Sequence, residues 1–134
     1  MGNWLLKCDP EDYSFTDLER EKETVWDGVR NNLALIHLRA VRKGDTVFIY
    51  HTGSEKQIVG EAMVTCDPYP DPKFHDSRYV VVKVRVGRRF RNPVTLAQLK
   101  TLQDFGKFGL VRLPRLSVMP VDEKRWNRII ALSR

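Results

Sequence analysis

The sequence predicts an α+β domain: short helices flanking a small, strongly curved sheet that closes part-way into a barrel. Three observations predict it. Apolar or alternating runs of strand length recur along the chain, the clearest being Thr46 to His51, Gln57 to Thr65 and Tyr79 to Val86. Short capped helices fall irregularly between them, unlike the regular strand–helix alternation of a parallel α/β sheet. The chain has 134 residues, 42% of them hydrophobic, so it can bury one core. Partial closure of the sheet then removes exposed strand edges. One domain over residues 1–134 is expected, with no repeat, linker or low-complexity tract.

Trp4-Leu5-Leu6-Lys7 is a short apolar run ended by Asp9-Pro10 and reads as the first strand. Ser14-Phe15-Thr16-Asp17 has the spacing of a capping box and starts a short helix. Thr24 to Val29 is rich in strand formers but broken by Gly28, which gives a loop or a short strand. Asn31 or Asn32 caps a helix reaching Val41, with Leu33, Ile36, His37 and Ala40 on its apolar face. Lys43-Gly44-Asp45 turns the chain into Thr46 to His51, an apolar strand expected to be buried on both faces. Gly53 supplies the next turn. Gln57 to Thr65 follows, with Ile58, Gly60, Ala62 and Val64 on one side, and pairs with that strand.

Pro68, Pro70 and Pro72 make Cys66 to Asp76 a loop without regular pairing. In Tyr79 to Val86 the alternate valines, Val80, Val82, Val84 and Val86, face in while Lys83 and Arg85 face out. Thr95-Leu96-Ala97-Gln98 is a second capping box, opening a short helix after Pro93. Gly106 and Gly109 mark a loop, and Leu116 to Met119 is a strand fragment before Pro120. Asp122 caps a last helix with Trp126, Ile129 and Ile130 on one face.

Twenty-three Lys and Arg against 17 Asp and Glu leave a net charge of +6, which favours polyanionic partners such as nucleic acid. Cys8 and Cys66 sit in no CxxC pair and are expected as free thiols. Charges from Lys7 onward interrupt any leader-like apolar segment, and no run reaches the ~18 apolar residues of a membrane helix. A soluble, membrane-free, cytoplasmic protein is expected: nucleoid-associated in a bacterium, nuclear in a eukaryote. A monomer is the simplest oligomeric state, and the sequence leaves that point open.

Catalytic signals are weak. Cys8, His51, Cys66 and His75 match no zinc spacing, Asp67, Asp71 and Asp76 match no calcium loop, and no phosphate-binding glycine motif is present. No metal and no cofactor is therefore expected. A Cys8–His51 dyad needs their strands to converge, and no local motif supports one. Binding signals are stronger. Trp26-Asp27-Gly28-Val29-Arg30-Asn31 places an aromatic plane, an acid, a base and an amide within six residues, the parts a stacked nucleobase needs. The alternative is a core Trp26 with Arg30 simply paired to Asp27. Lys83, Arg85, Arg88, Arg89 and Arg91, with Arg112 and Arg115 beyond, either track a phosphate backbone or form a solvated face.

Several motifs occur together and in order: Trp4-Leu5-Leu6-Lys7-Cys8-Asp9-Pro10 with Tyr13-Ser14, the Trp26 to Asn31 segment, Gly44-Asp45 before Phe48-Ile49-Tyr50-His51, Tyr69-Pro70-Asp71, and Arg115-Leu116-Ser117-Val118-Met119-Pro120-Val121. Over essentially its whole length the chain resembles EVE domains, in particular the thymocyte nuclear protein type. These belong to the PUA-like superfamily and are related to the YTH readers of methylated RNA. The resemblance implies a PUA-like curved β-pseudobarrel flanked by short α-helices. It also implies a pocket for a modified base, such as methylated or hydroxymethylated cytosine or methylated adenine, in DNA or RNA. Trp26 would wall that pocket, and Lys7, Asp9, Tyr50 and His51 would border it. Asp27, Arg30 and Asn31 would shape its floor or meet the nucleic-acid backbone, and Arg115, Leu116 and Ser117 would close its far side. After Asn31 the family pattern carries Tyr, Gln, Ala, Arg and Asn, whereas this chain has Asn32-Leu33-Ala34-Leu35-Ile36. Cys8-Asp9 likewise stands in place of Ser-Glu.

The function expected is a non-catalytic reader of a modified nucleobase. Lys83, Arg85, Arg88, Arg89 and Arg112 are expected to hold the nucleic-acid backbone. The rivals are a PUA-like module for tRNA, rRNA or modified RNA, an enzyme using His51 with Cys8 or Asp9, and a small-molecule or protein-interaction module.

Overall fold

The computed structural model describes residues 2–134. In chain order it comprises β1 (Asn3–Cys8), α1 (Phe15–Glu21), β2 (Glu23–Trp26), α2 (Asn32–Ala40), β3 (Thr46–His51), β4 (Gln57–Val64), β5 (Tyr69–Pro70), β6 (Val80–Thr95), α3 (Leu96–Lys100), α4 (Gly109–Arg112), β7 (Val118–Pro120) and α5 (Glu123–Leu132). The main sheet runs β2-β6-β4-β3-β1-β7, and β5 pairs separately with β6. Only β1–β3 is parallel; the other pairings are antiparallel. Register shifts around Gly60 in the β4–β6 pair and at Ile49/Tyr50 in the β3–β4 pair bend the sheet into an open half-barrel.

Local chemistry accounts for the helix starts. Ser14 Oγ accepts from the Asp17 amide while the Asp17 carboxylate accepts from the Ser14 amide, so the first capping box is complete. Thr95 and Gln98 repeat the arrangement at α3. Asn31 and Asp122 cap α2 and α5 through their side-chain oxygens. One hydrophobic cluster joins the helices to the sheet, with Phe48 stacked on Trp126 at 3.6 Å and edge-on to Phe90 at 5.6 Å. Asp45, only 4% exposed, closes the end of the sheet. Its carboxylate accepts from Trp4 Nε1 and from the amides of Gly2 and Arg42, each at 2.9 Å.

Four expectations need correction. α2 buries Ala34, Leu35 and Leu38, while Leu33 and Ile36 are 42% and 55% exposed. Two apolar stripes compete on this helix. The one that wins continues into Val41 and avoids His37, which instead lies half-buried against Trp4 with desolvation lowering its basicity. The proline-rich loop does pair, because Tyr69–Pro70 adds to the end of β6 where Pro70 needs no donor. β6 continues nine residues past Val86, since Gly87 lets it cross closely over Glu61 and rejoin β4 at Gln57 and Ile58. The loop around Gly106 and Gly109 holds a 3-10 turn at Gln103–Phe105 and the four-residue α4.

Candidate nucleobase pocket

Three segments enclose a cavity of about 570 Å³. β1 ends at Cys8, and Asp9 then folds the chain back: its carboxylate accepts from the Glu11 amide and its carbonyl from the amides of Asp12 and Tyr13. The α1 capping box fixes Tyr13 one residue before the cap. β2 supplies Thr24 and Trp26 on one side of the strand, and Gly28, at φ +79°, turns the chain away towards α2. Lys7, Asp9, Asp12, Tyr13, Thr24, Trp26 and Asp27 thus line one opening, two of them aromatic and three acidic.

The Trp26 indole is 6% exposed and meets the Tyr13 ring edge-on at 6.3 Å. The Tyr13 hydroxyl donates to the Glu21 carboxylate; burial and this neighbour push its pKa up to about 12. The phenol therefore stays neutral, with its proton engaged by Glu21. Lys7 stretches over the Tyr50 ring, 5.6 Å from its centroid, and its ammonium donates to the Pro114 carbonyl at 2.8 Å. Burial lowers the Lys7 pKa. Its backbone amide donates to the Ser117 carbonyl, so one residue ties β1 to the 114–117 segment twice. Asp27 pairs with Lys73 at 3.3 Å.

Of the residues picked from the sequence, Lys7, Asp9, Trp26 and Asp27 come together in this cavity. Trp26 is a correction in degree: it lines the opening but is mostly core, because β2 packs it inward opposite Val82. Arg30 points elsewhere, its guanidinium 4.4 Å from the Phe74 ring centroid and 5.3 Å from that of Tyr79. Asn31 is occupied as the α2 cap, accepting from the Ala34 amide. It borders a second, smaller hollow of about 300 Å³ with Leu33, Leu113, Pro114, Arg115 and Leu116. Tyr50 is buried beneath Lys7 and outside the lining. His51 is buried with both ring nitrogens engaged: Nε2 accepts from the Phe15 amide at 3.0 Å and Nδ1 meets Glu55 at 2.9 Å. It braces α1 against β3 instead of bordering the opening. Ser117 takes part through its carbonyl alone.

Tyr13, Thr24 and Asp12 were missed as lining residues. The capping box at Ser14 could have found Tyr13, since the cap dictates where the preceding residue sits. The period of two from Trp26 could have found Thr24.

Three cations of the basic stripe on β6 face carboxylates. Arg85 faces Glu23 at 3.9 Å, Arg88 meets Glu61 at 3.2 Å, and Arg89 binds Glu19 and Thr16. The neighbouring strands and α1 place carboxylates in register with the arginines, as in the direct pairing of Glu23 with Arg85. Lys83, Arg112 and Arg115 have no carboxylate partner among the described residues.

Cys8 does lie opposite His51 in the β1–β3 register. Burial, then Asp9, Glu55 and Asp17, push the Cys8 thiol up to about 12, which leaves almost no thiolate at neutral pH. With His51 already bonded on both nitrogens, the pair lacks the form of an activated nucleophile.

Comparison with known proteins agrees with this architecture. Human thymocyte nuclear protein 1 is 27% identical over 98% of this chain and 73% of its own. A Rhodopseudomonas palustris protein solved by NMR superposes with a TM-score of 0.94 at 32% identity, covering 99% of this chain and 93% of that one. Human thymocyte nuclear protein 1, solved in complex with DNA containing 5-methylcytosine, has the same fold, with a TM-score of 0.90 at 24% identity over 100% of this chain and 98% of that one. The EVE domain profile matches residues 2–132, and the chain belongs to the EVE domain family, with its PUA-like fold.

Proposed function

We propose that the cavity between β1, Tyr13 and β2 receives a modified nucleobase from DNA, with methylated cytosine as the first choice, and binds it without chemistry. The observation that carries this reading is the convergence of Lys7, Asp9, Tyr13, Trp26 and Asp27 from separate segments onto one open cavity. Support comes from the human relative solved with 5-methylcytosine DNA. The acidic lining adds chemistry of its own: carboxylates accept from an exocyclic amino group, which cytosine and adenine carry and thymine lacks. Asp9 and Asp27 are the acceptors, and the edges of Trp26 and Tyr13 supply the apolar contact.

Taking a base out of a duplex costs a few kcal/mol, and contact with the Trp26 and Tyr13 edges returns part of it, so the carboxylate bonds and phosphate contacts supply the rest. A buried methyl contributes roughly 0.8 kcal/mol, about a fourfold preference. The inert Cys8 thiol and the fully bonded His51 favour binding over turnover.

The test is anisotropy titration of matched oligonucleotides carrying 5-methylcytosine, cytosine or thymine, at fixed salt. Methylcytosine should bind best and thymine worst. Asp27→Asn should weaken methylcytosine binding by roughly tenfold, the worth of a hydrogen bond to a charged group. Trp26→Phe, which keeps an aromatic ring in the core, should lower affinity without unfolding the domain. Equal binding of thymine and methylcytosine would sink the proposal. Tighter binding to the same base in single-stranded RNA would move the partner from DNA to RNA.

A further inference from the structure

We propose that the Leu113–Pro114 tip, with Leu33 of α2 beside it, is an apolar wedge that enters a DNA duplex and fills the gap left by the extruded base. This rests on the base-binding reading above. Five large apolar side chains remain exposed among the described residues, and Leu33, Ile36 and Leu113 are three of them, at 42%, 55% and 43%. Leu33 and Leu113 share the second hollow, and Ile36 follows Leu33 by one helical turn. An apolar cluster on an otherwise charged surface calls for an occupant.

Its position identifies that occupant. The wall between the two hollows is the Lys7 ammonium bonded to the Pro114 carbonyl, and Lys7 lines the base cavity. On the α2 side, Gly28 borders the base cavity while Asn31, three residues on, borders the hollow. A base lodged in the first cavity thus leaves its vacated stacking site next to the second. The flanking charge fits as well: Arg112 and Arg115 bracket the tip and have no carboxylate partner among the described residues, so phosphates on either side of the gap would find cations.

The tip is also stiff enough to push. The Leu113 amide donates to the Gly109 carbonyl at 2.8 Å, the Leu116 amide returns to the Leu113 carbonyl at 3.0 Å, and Pro114 fixes the backbone between them. A wedge that is ordered in advance loses little entropy on insertion. Apolar side chains placed between base steps offset unstacking in this way in minor-groove and architectural proteins.

The test compares Leu33→Gln and Leu113→Gln with the unmodified protein, after thermal melts show that each variant is folded. Each protein is titrated with a fully paired duplex carrying one 5-methylcytosine and with the corresponding single strand. 2-Aminopurine placed next to the target reports unstacking. The expected result is a loss of about tenfold on the duplex for Leu113→Gln, from one leucine returned to water, with less than a twofold change on the single strand and a collapsed 2-aminopurine signal. Equal losses on both substrates, or no loss on either while the unmodified protein still prefers the methylated base, overturns the wedge alone. If the unmodified protein shows no such preference even on the single strand, the base-binding reading itself fails. A dimer that Leu33→Gln and Leu113→Gln convert to monomer with duplex affinity unchanged makes the patch a self-contact and also overturns the wedge.

Discussion

At the residue scale the strongest structural dependence falls on Asp45, which reads from sequence only as the end of a turn. Its carboxylate satisfies three donors at once, including the indole of Trp4. Asp45→Ala strands those donors in a nearly closed site, so unfolding free energy should fall by roughly 2–4 kcal/mol, as read by urea denaturation. Cys8 gives a chemical test. Its thiol titrates near 12 instead of 9, so the folded protein holds this proton between those pH values while the unfolded chain releases it. Stability should therefore fall as pH rises through that window, with Tyr13, raised from 10 to about 12, acting in the same direction. At pH 8, alkylation of Cys8 followed by mass spectrometry should be far slower in the native protein than in urea. The cavity-lining residues that sequence picked, Lys7, Asp9, Trp26 and Asp27, lie near Pro10 and Gly28, where backbone punctuation fixes direction. Arg30 and His51 were illegible because their partners, Phe74, Tyr79 and the Phe15 amide, come from distant segments.

Among the elements, helix starts were readable and helix faces were not. Ser14, Asn31, Thr95 and Asp122 announce their helices through bonds made within three residues. The face that α2 buries depends on how the sheet meets it, and Leu33 was assigned inward on local pattern alone. The length of β6 was similarly hidden, because its course past Val86 depends on β4. The seating of α1 on the sheet gives the prediction at this scale. A Cβ on Gly60 would lie 2.5 Å from Phe15 Cζ and 2.8 Å from the Arg88 carbonyl. Gly60→Ala should cost about 1–3 kcal/mol through overpacking. Because α1 begins one residue after the Tyr13-Ser14 corner, base affinity should fall together with the melting temperature. Unchanged affinity in a destabilised Gly60→Ala protein would separate α1 from the pocket.

For the molecule as a whole, the net charge of +6 does not by itself say which cations face a carboxylate. Arg85, Arg88 and Arg89 of β6 face Glu23, Glu61 and Glu19, while Arg112 and Arg115 have no carboxylate partner among the described residues. Each phosphate contact contributes about 0.9 to the slope of log affinity against log salt. The Arg112→Ala, Arg115→Ala double variant should flatten that slope by roughly 2, and Arg88→Ala by much less. The reverse order would restore the β6 stripe as the track. Sequence indicated the overall architecture because strand and cap signals agreed with one another. It missed the charge pattern because pairing across strands decides which cations face an acid.

β1 occupies an inner position of the sheet, parallel to β3 and antiparallel to β7, with Trp4 set against Pro120. β1 therefore emerges from the ribosome long before β7 and waits for it before both its edges are matched. Until then a flat apolar ribbon stays open to any passing strand, so synthesis itself sets the period in which this chain is most vulnerable to misassociation.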